Sequence, residues 1–197
     1  MIRLRVWANE LPMGWFGHEA GQYFFQYDED WLNSRHGYVL APQFVLRPEP
    51  HLGEPVKIFF ANLLPEGAVL EEILSAIHMR GASPFEIIGQ MGEELPGVLS
   101  VRAQGHVPSG LQQYRPLTKE TLSQRIKDRD QQKPLLISND QSSMSLPGAQ
   151  DKLGLRYDGR RDRLYDSVAS TPTTHIAKRS EEHTSELQSL RHLVCRL

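Results

Sequence analysis

Ser145-Leu146-Pro147-Gly148-Ala149-Gln150-Asp151-Lys152 is a short loop of small and polar residues that runs directly into an alternating strand. On that strand Lys152, Gly154 and Arg156 fall on one face, and Leu153, Leu155 and Tyr157 on the other. Asp158-Gly159 predicts a hairpin turn, and residues 163–166 return as a second strand. Ser170-Thr171-Pro172-Thr173-Thr174 turns the chain again, and a third strand, Thr174-His175-Ile176-Ala177-Lys178, ends in a lysine. The chemistry on offer is anion holding. A glycine lets backbone N–H groups approach phosphate oxygens. A lysine on a third strand can neutralise nucleotide phosphate charge, as the strand lysine of protein kinases does. Spacing alone does not select this reading. PGAQ has a single glycine and is not a G-x-G-x-x-G loop. A tight turn in an antiparallel sheet with an exposed lysine meets the same spacing more simply.

The other reactive side chains add little. His175 reads as a structural strand residue. His18 and His78 show no metal-ligand spacing, and the one cysteine, Cys195, lies in the C-terminal segment that reads as non-native. No disulfide framework is possible with one cysteine, which fits a reducing cytoplasm.

The elements that must position the loop and lysine divide into two groups. Ile2, Leu4 and Val6 alternate with Arg3, Arg5 and Trp7, the pattern of a half-buried strand. Residues 9–14 contain Pro12 and Gly14 and read as a turn; residues 15–18 and 22–27 read as further aromatic-rich strands. Residues 39–55 carry Pro42, Pro48, Pro50 and Pro55 and predict an extended, irregular connection. Leu70, Ile73, Leu74 and Ile77 form one helical stripe, with Gly81 as its expected stop. Ser83-Pro84-Phe85-Glu86 is a capping box that opens another helix, which ends at Gly92. Residues 97–101 read as a strand. Residues 104–116 read as a linker by composition. Thr118 caps a third helix with Leu122 and Ile126 inward and the charged residues 125–129 outward, as a solvated face.

The fold class is therefore α+β. A small antiparallel sheet with packed helices precedes a second, β-rich unit. Net charge is −2, so no global basic field points to direct nucleic-acid binding. No apolar run approaches a membrane span, and the alternating N-terminus lacks a signal peptide's apolar core.

Taken together, SLPGAQDKLGL and STPTTHIAK resemble the HipA family of serine/threonine kinases, the toxin components of type II toxin–antitoxin pairs. YDEDWL, FFANLLPEG and SPFEIIGQMGEELPGVLSV are similar to that family's N-terminal region, in the same order. The resemblance runs from residue 1 to residue 178. It implies an N-terminal subdomain over residues 1–105, a linker and helix over 106–137, and the start of a kinase-like N-lobe over 138–178. It implies that Lys178 binds ATP phosphates and that Gly148, Ala149 and Gln150 form the turn that covers them. Lys152 is either a second basic contact or a strand-start charge. Ser145 matches the serine that family members autophosphorylate. Phosphorylation there places close to two negative charges beside a site built for a triphosphate, and so silences it. The implied partners are a HipB-like helix-turn-helix antitoxin, operator DNA through that antitoxin only, and a protein substrate such as an aminoacyl-tRNA synthetase. ATP and Mg2+ are the implied cofactors of the full-length protein.

Phosphoryl transfer also needs a carboxylate base and magnesium ligands, which the resemblance places on a helical C-terminal lobe beyond Lys178. Residues 179–197 match a short-read library adapter when written back into codons and are expected to be non-native and loosely packed, at most a loose helix over 181–190. The expectation is a truncated kinase with no activity of its own. The alternative is a stand-alone N-terminal regulatory module without catalysis; the kinase-portion motifs SLPGAQDK and THIAK weigh against it.

Overall fold

The structure is a computed structural model. It describes residues 2–93, 95–96, 98–106, 113–129, 147–148, 152–168, 171–178 and 195–196. They form a mixed α+β fold with two five-stranded sheets whose pairings are antiparallel, as the sequence predicts for the fold class.

The first sheet contains β1 (Arg3–Ala8), β2 (Leu11–Glu19), β3 (Gln22–Tyr27), β4 (His51–Leu52) and β5 (Leu99–Ala103), in the order β4-β3-β2-β1-β5. Alternation sorts its faces. Leu4, Val6, Phe16, Tyr23, Phe25, Tyr27 and Val101 are buried in the core. Glu19-Ala20-Gly21-Gln22 closes β2 to β3 with left-handed residues at Ala20 (φ 50°) and Gly21 (φ 78°), the turn that matches strand twist. The turn between β1 and β2 is shorter than residues 9–14. It is Asn9-Glu10, and β2 begins at Leu11. Pro12 is tolerated because the β1–β2 register shifts between Val6 and Trp7. Gly14 is required mid-strand, since a Cβ there would collide with the Gln26 carbonyl.

Four helices belong to this sheet: α1 (Glu29–Asn33), α2 (Glu54–Ala61), α3 (Gly67–Ala76) and α4 (Pro84–Met91). The Ser83–Glu86 capping box forms as expected. The hydrogen bonds that Glu86 receives from Ser83 hold its carboxyl below the usual range. The α3 stop differs from expectation. Ile77 ends the helix and His78 takes the left-handed conformation (φ 59°), with Met79 N–H on the Leu74 carbonyl and His78 N–H on the Ser75 carbonyl. Histidine tolerates this conformation better than branched residues do, so the turn does not wait for Gly81.

The proline-rich connection is irregular, as predicted, but it is tied to the core. The Tyr27 hydroxyl accepts from Leu40 N–H and donates to the Phe44 carbonyl, both at 2.7 Å. Burial raises the Tyr27 phenol above its ordinary value. The His51 ring nitrogen Nε2 lies 3.0 Å from the Val45 carbonyl, among Phe25, Tyr27 and Phe44. Burial lowers the His51 imidazole; the Val45 bond opposes this, and the charge of Arg47 adds to the lowering. A lowered folded value means the unfolded chain binds the proton first. Stability contributed by neutral His51 is full above about pH 6.5 and is lost as pH falls through its folded value. The urea midpoint of the wild type is expected to fall between pH 7.5 and 5.5, and His51→Gln to flatten that slope. Identical slopes in the two proteins would remove His51 as the cause.

The second sheet contains β6 (Gln113–Leu117), β7 (Lys152–Asp158), β8 (Arg163–Val168), β9 (His175–Lys178) and β10 (Cys195–Arg196), in the order β10-β9-β7-β8-β6. α5 (Lys119–Arg129) covers one face, closing a small core of Leu117, Leu122, Leu153 and Leu155. Two expectations are corrected here. Residues 113–116, read as the end of a linker, belong to an edge strand, Gln113–Leu117, paired with β8; Pro116 suits an edge, where a missing N–H costs no ladder bond. Arg125, read as part of a solvated face, makes a bidentate pair with Asp166 on β8, at 2.9 and 2.5 Å, with both side chains 15% exposed. Residues 181–190 lie outside the described residues, while Cys195 pairs with Ile176 and Arg196 with His175. Among the described residues, no helix is long and apolar enough to cross a membrane.

Candidate phosphate-binding site

β7 and β9 are antiparallel neighbours, and their register sets Lys152 directly opposite Lys178. The next pairs are Leu153 with Ala177, Gly154 with Ile176 and Leu155 with His175. Alternation then gives the sheet two unlike faces. Leu153, Leu155, Tyr157 and Ala177 belong to the core under α5. Lys152, Gly154, Arg156, Ile176 and Lys178 take the other register positions. Like charges directly opposite on a strand pair are destabilising, and Lys152 and Lys178 occupy such opposed register positions.

Gly148 precedes the Lys152 end of β7. Its φ is 103°, a conformation L side chains rarely adopt, and a Cβ there would sit 2.9 Å from the Lys152 ammonium. That ammonium donates to the Pro147 carbonyl at 2.6 Å, closing the loop onto the strand. The glycine loop and both lysines thus share one end of the second sheet. Ser145, Ala149 and Gln150 lie outside the described residues, as does the Lys178 side chain.

Two supports were not read from the sequence. Thr171 is buried and its hydroxyl accepts from Gln113 N–H at 2.9 Å, while Tyr114 donates to the Pro172 carbonyl at 3.0 Å. β6 thereby fixes the turn that delivers β9. The Arg156 guanidinium also lies 4.3 Å from the Tyr114 ring centre, a cation–π contact on the face that carries the lysines. The second support is a contact from the first unit: Pro65 forms a parallel bridge with Gly148. Nothing local in LLPEG announces it. Among the described residues, no three of the His, Cys, Asp and Glu side chains gather to hold a metal ion.

Comparison with known proteins shows what the chain is similar to. Residues 4–102, just over half of the chain, match the family model described as the HipA N-terminal domain. Y4mE of Sinorhizobium fredii, named provisionally as a kinase, is 30% identical over 182 residues, covering 89% of this chain and 42% of its own length. The serine/threonine-protein kinase toxin HipA of Shewanella oneidensis is 28% identical over 184 residues, covering 92% of this chain and 41% of its own. A solved structure of the Shewanella oneidensis HipA, HipB and operator DNA complex superposes with a TM-score of 0.71 at 25% identity, covering 92% of this chain and 41% of that one. The chain therefore spans about two fifths of the length of these relatives.

Proposed function

The chain belongs to the HipA family, and from that premise we propose that its second sheet is the nucleotide-phosphate cradle of a serine/threonine kinase toxin. The observation that carries the reading is the register pair Lys152–Lys178 beside the positive-φ Gly148. Two lysines at opposed register positions suit a polyphosphate, and a glycine lets the backbone approach it. In this reading Lys178 holds the ATP phosphates, and Gly148, Ala149 and Gln150 form the turn over them. Lys152 has a part of its own, since its ammonium already ties the loop to the strand through Pro147.

The reaction is phosphoryl transfer. A serine hydroxyl of a protein substrate attacks the γ-phosphorus, the bond to the β–γ bridging oxygen breaks, ADP leaves, and the hydroxyl proton passes to a carboxylate. This reading assigns the carboxylate base and the metal ligands to a further lobe of the full-length protein. Ser145 is the proposed autophosphorylation site. The proposed units are residues 1–105, a connection and helix over 106–137, and 138–178, with β6 joining the last as its edge strand. Residues 179–197 are proposed to be non-native. The HipB and operator DNA of the superposed complex suggest a HipB-like antitoxin as partner here, with DNA reached through it and the cytoplasm as the site of action. An aminoacyl-tRNA synthetase is the substrate class the resemblance implies.

The test is to read the source gene past the codon for Lys178, express the full frame, and incubate it with labelled ATP and Mg2+. Labelled Ser145 and a labelled protein substrate are the expected result. A frame that stops within residues 179–197, with a protein that instead captures a separately encoded kinase, would replace this reading with the regulatory module.

A further inference from the structure

We propose that the turn between α2 and α3 is the seat of the glycine loop, with Glu66 as a positioning residue that holds Gly148 through its backbone amide. The geometry stands alone; its consequence for nucleotide binding rests on the phosphate-cradle reading. Glu66 N–H donates to the Gly148 carbonyl at 3.2 Å, next to the Pro65–Gly148 bridge. The seat is stiff. Pro65 is buried and its ring restricts φ, Leu64 before it is a core residue, and the two flanking helices place Phe60 and Val69 in the first core.

Gly148 is therefore held from two sides. The first unit donates to its own carbonyl, and Lys152 of the second donates to the carbonyl before it, at 2.6 Å. Fixing two successive carbonyls fixes the planes of the peptides between and after them. Those planes decide where the loop's N–H groups point, which is the property a phosphate would read. Seating the loop and ordering the α2–α3 turn are then one linked equilibrium, and linkage is reciprocal. A ligand that draws the loop from its seat loosens the turn, and a partner that grips the turn changes the loop's affinity for phosphate by the same factor.

Amide hydrogen exchange, followed residue by residue by NMR on the full chain, tests the seat without nucleotide. Glu66 N–H is expected to be protected in the wild type. Gly148→Ala, strained at φ 103°, is expected to speed Glu66 exchange about tenfold or more. The Ile77 amide, bonded to the Ile73 carbonyl, should keep its rate and report an intact α3. Free-peptide exchange at Glu66 in the wild type, or unchanged protection in Gly148→Ala, would overturn the seat. From the other side, in the full-length protein, Glu66→Pro removes the donor and is expected to raise KM for ATP about tenfold with kcat little changed. The conservative Glu66→Gln keeps the backbone donor and should keep the wild-type KM. Exchange coupling with no change in KM would keep the seat and sink the phosphate reading; equal KM changes in both Glu66 variants would sink the backbone role.

Discussion

Replacing Lys178 with methionine in the full-length protein is expected to cut ATP-dependent phosphoryl transfer on the order of 100-fold or more, the scale of losing one preorganised charge contact to a transferring phosphate. The same change should leave the fold as stable as before or slightly more so, by a few tenths of a kcal/mol, because it removes one of two like charges placed opposite each other. The two signs separate a phosphate-holding lysine from a structural one. A structural lysine would lose stability along with activity. Lys152→Met is expected to act differently. It removes the tie to the Pro147 carbonyl, so loop order and nucleotide affinity should fall together. Activity within a few-fold of wild type in Lys178→Met would remove the cradle reading. Steady-state kinetics and a urea titration on the same preparations give both numbers.

Phe60→Ala is expected to lower the stability of the first unit by about 3–5 kcal/mol, the usual cost of emptying a buried phenylalanine site. Phe60 is fully buried. Its ring stacks on Phe16 at 3.8 Å between centroids and meets Phe59 edge-on at 5.2 Å. Phe16 is a buried residue of β2, and Phe60 is the last buried residue of α2, so this stack joins helix to sheet. Since small domains are stable by only about 5–15 kcal/mol, the loss removes a large share of the total. With a urea slope of about 1–3 kcal/mol per molar, the midpoint should move by roughly 2 M. A loss below about 1 kcal/mol would mean that the site collapses without a cavity, against the tight stacking described here.

The lysine pair shows how far the site could be read in advance. The loop, the lysine at the end of β9 and the alternation of Lys152, Gly154 and Arg156 are all visible in the text. Their meeting is not, because it depends on register. A slip of one residue between β7 and β9 would have set Lys152 against Ala177 and sent the alternation to the wrong face. Hydrophobic burial of Leu153, Leu155 and Ala177 under α5 selects the register, and the lysines follow from it.

What the sequence determined by itself was whatever a few neighbouring residues decide. Alternation made β1 and β3 half-buried strands, and Ser83 with Glu86 opened α4, because the partners of each lie within one turn or one pleat. Thr118 likewise marked the start of α5. The tertiary structure decided the rest. Residues 113–117 are a strand only because β8 offers a free edge. Arg125 turns inward only because Asp166, distant in sequence, awaits it. Pro65 meets Gly148 only because the tertiary fold brings two distant stretches of chain together. Each of these outcomes depends on a partner far along the chain, and the energy of such a contact exists only once packing has brought its two sides together.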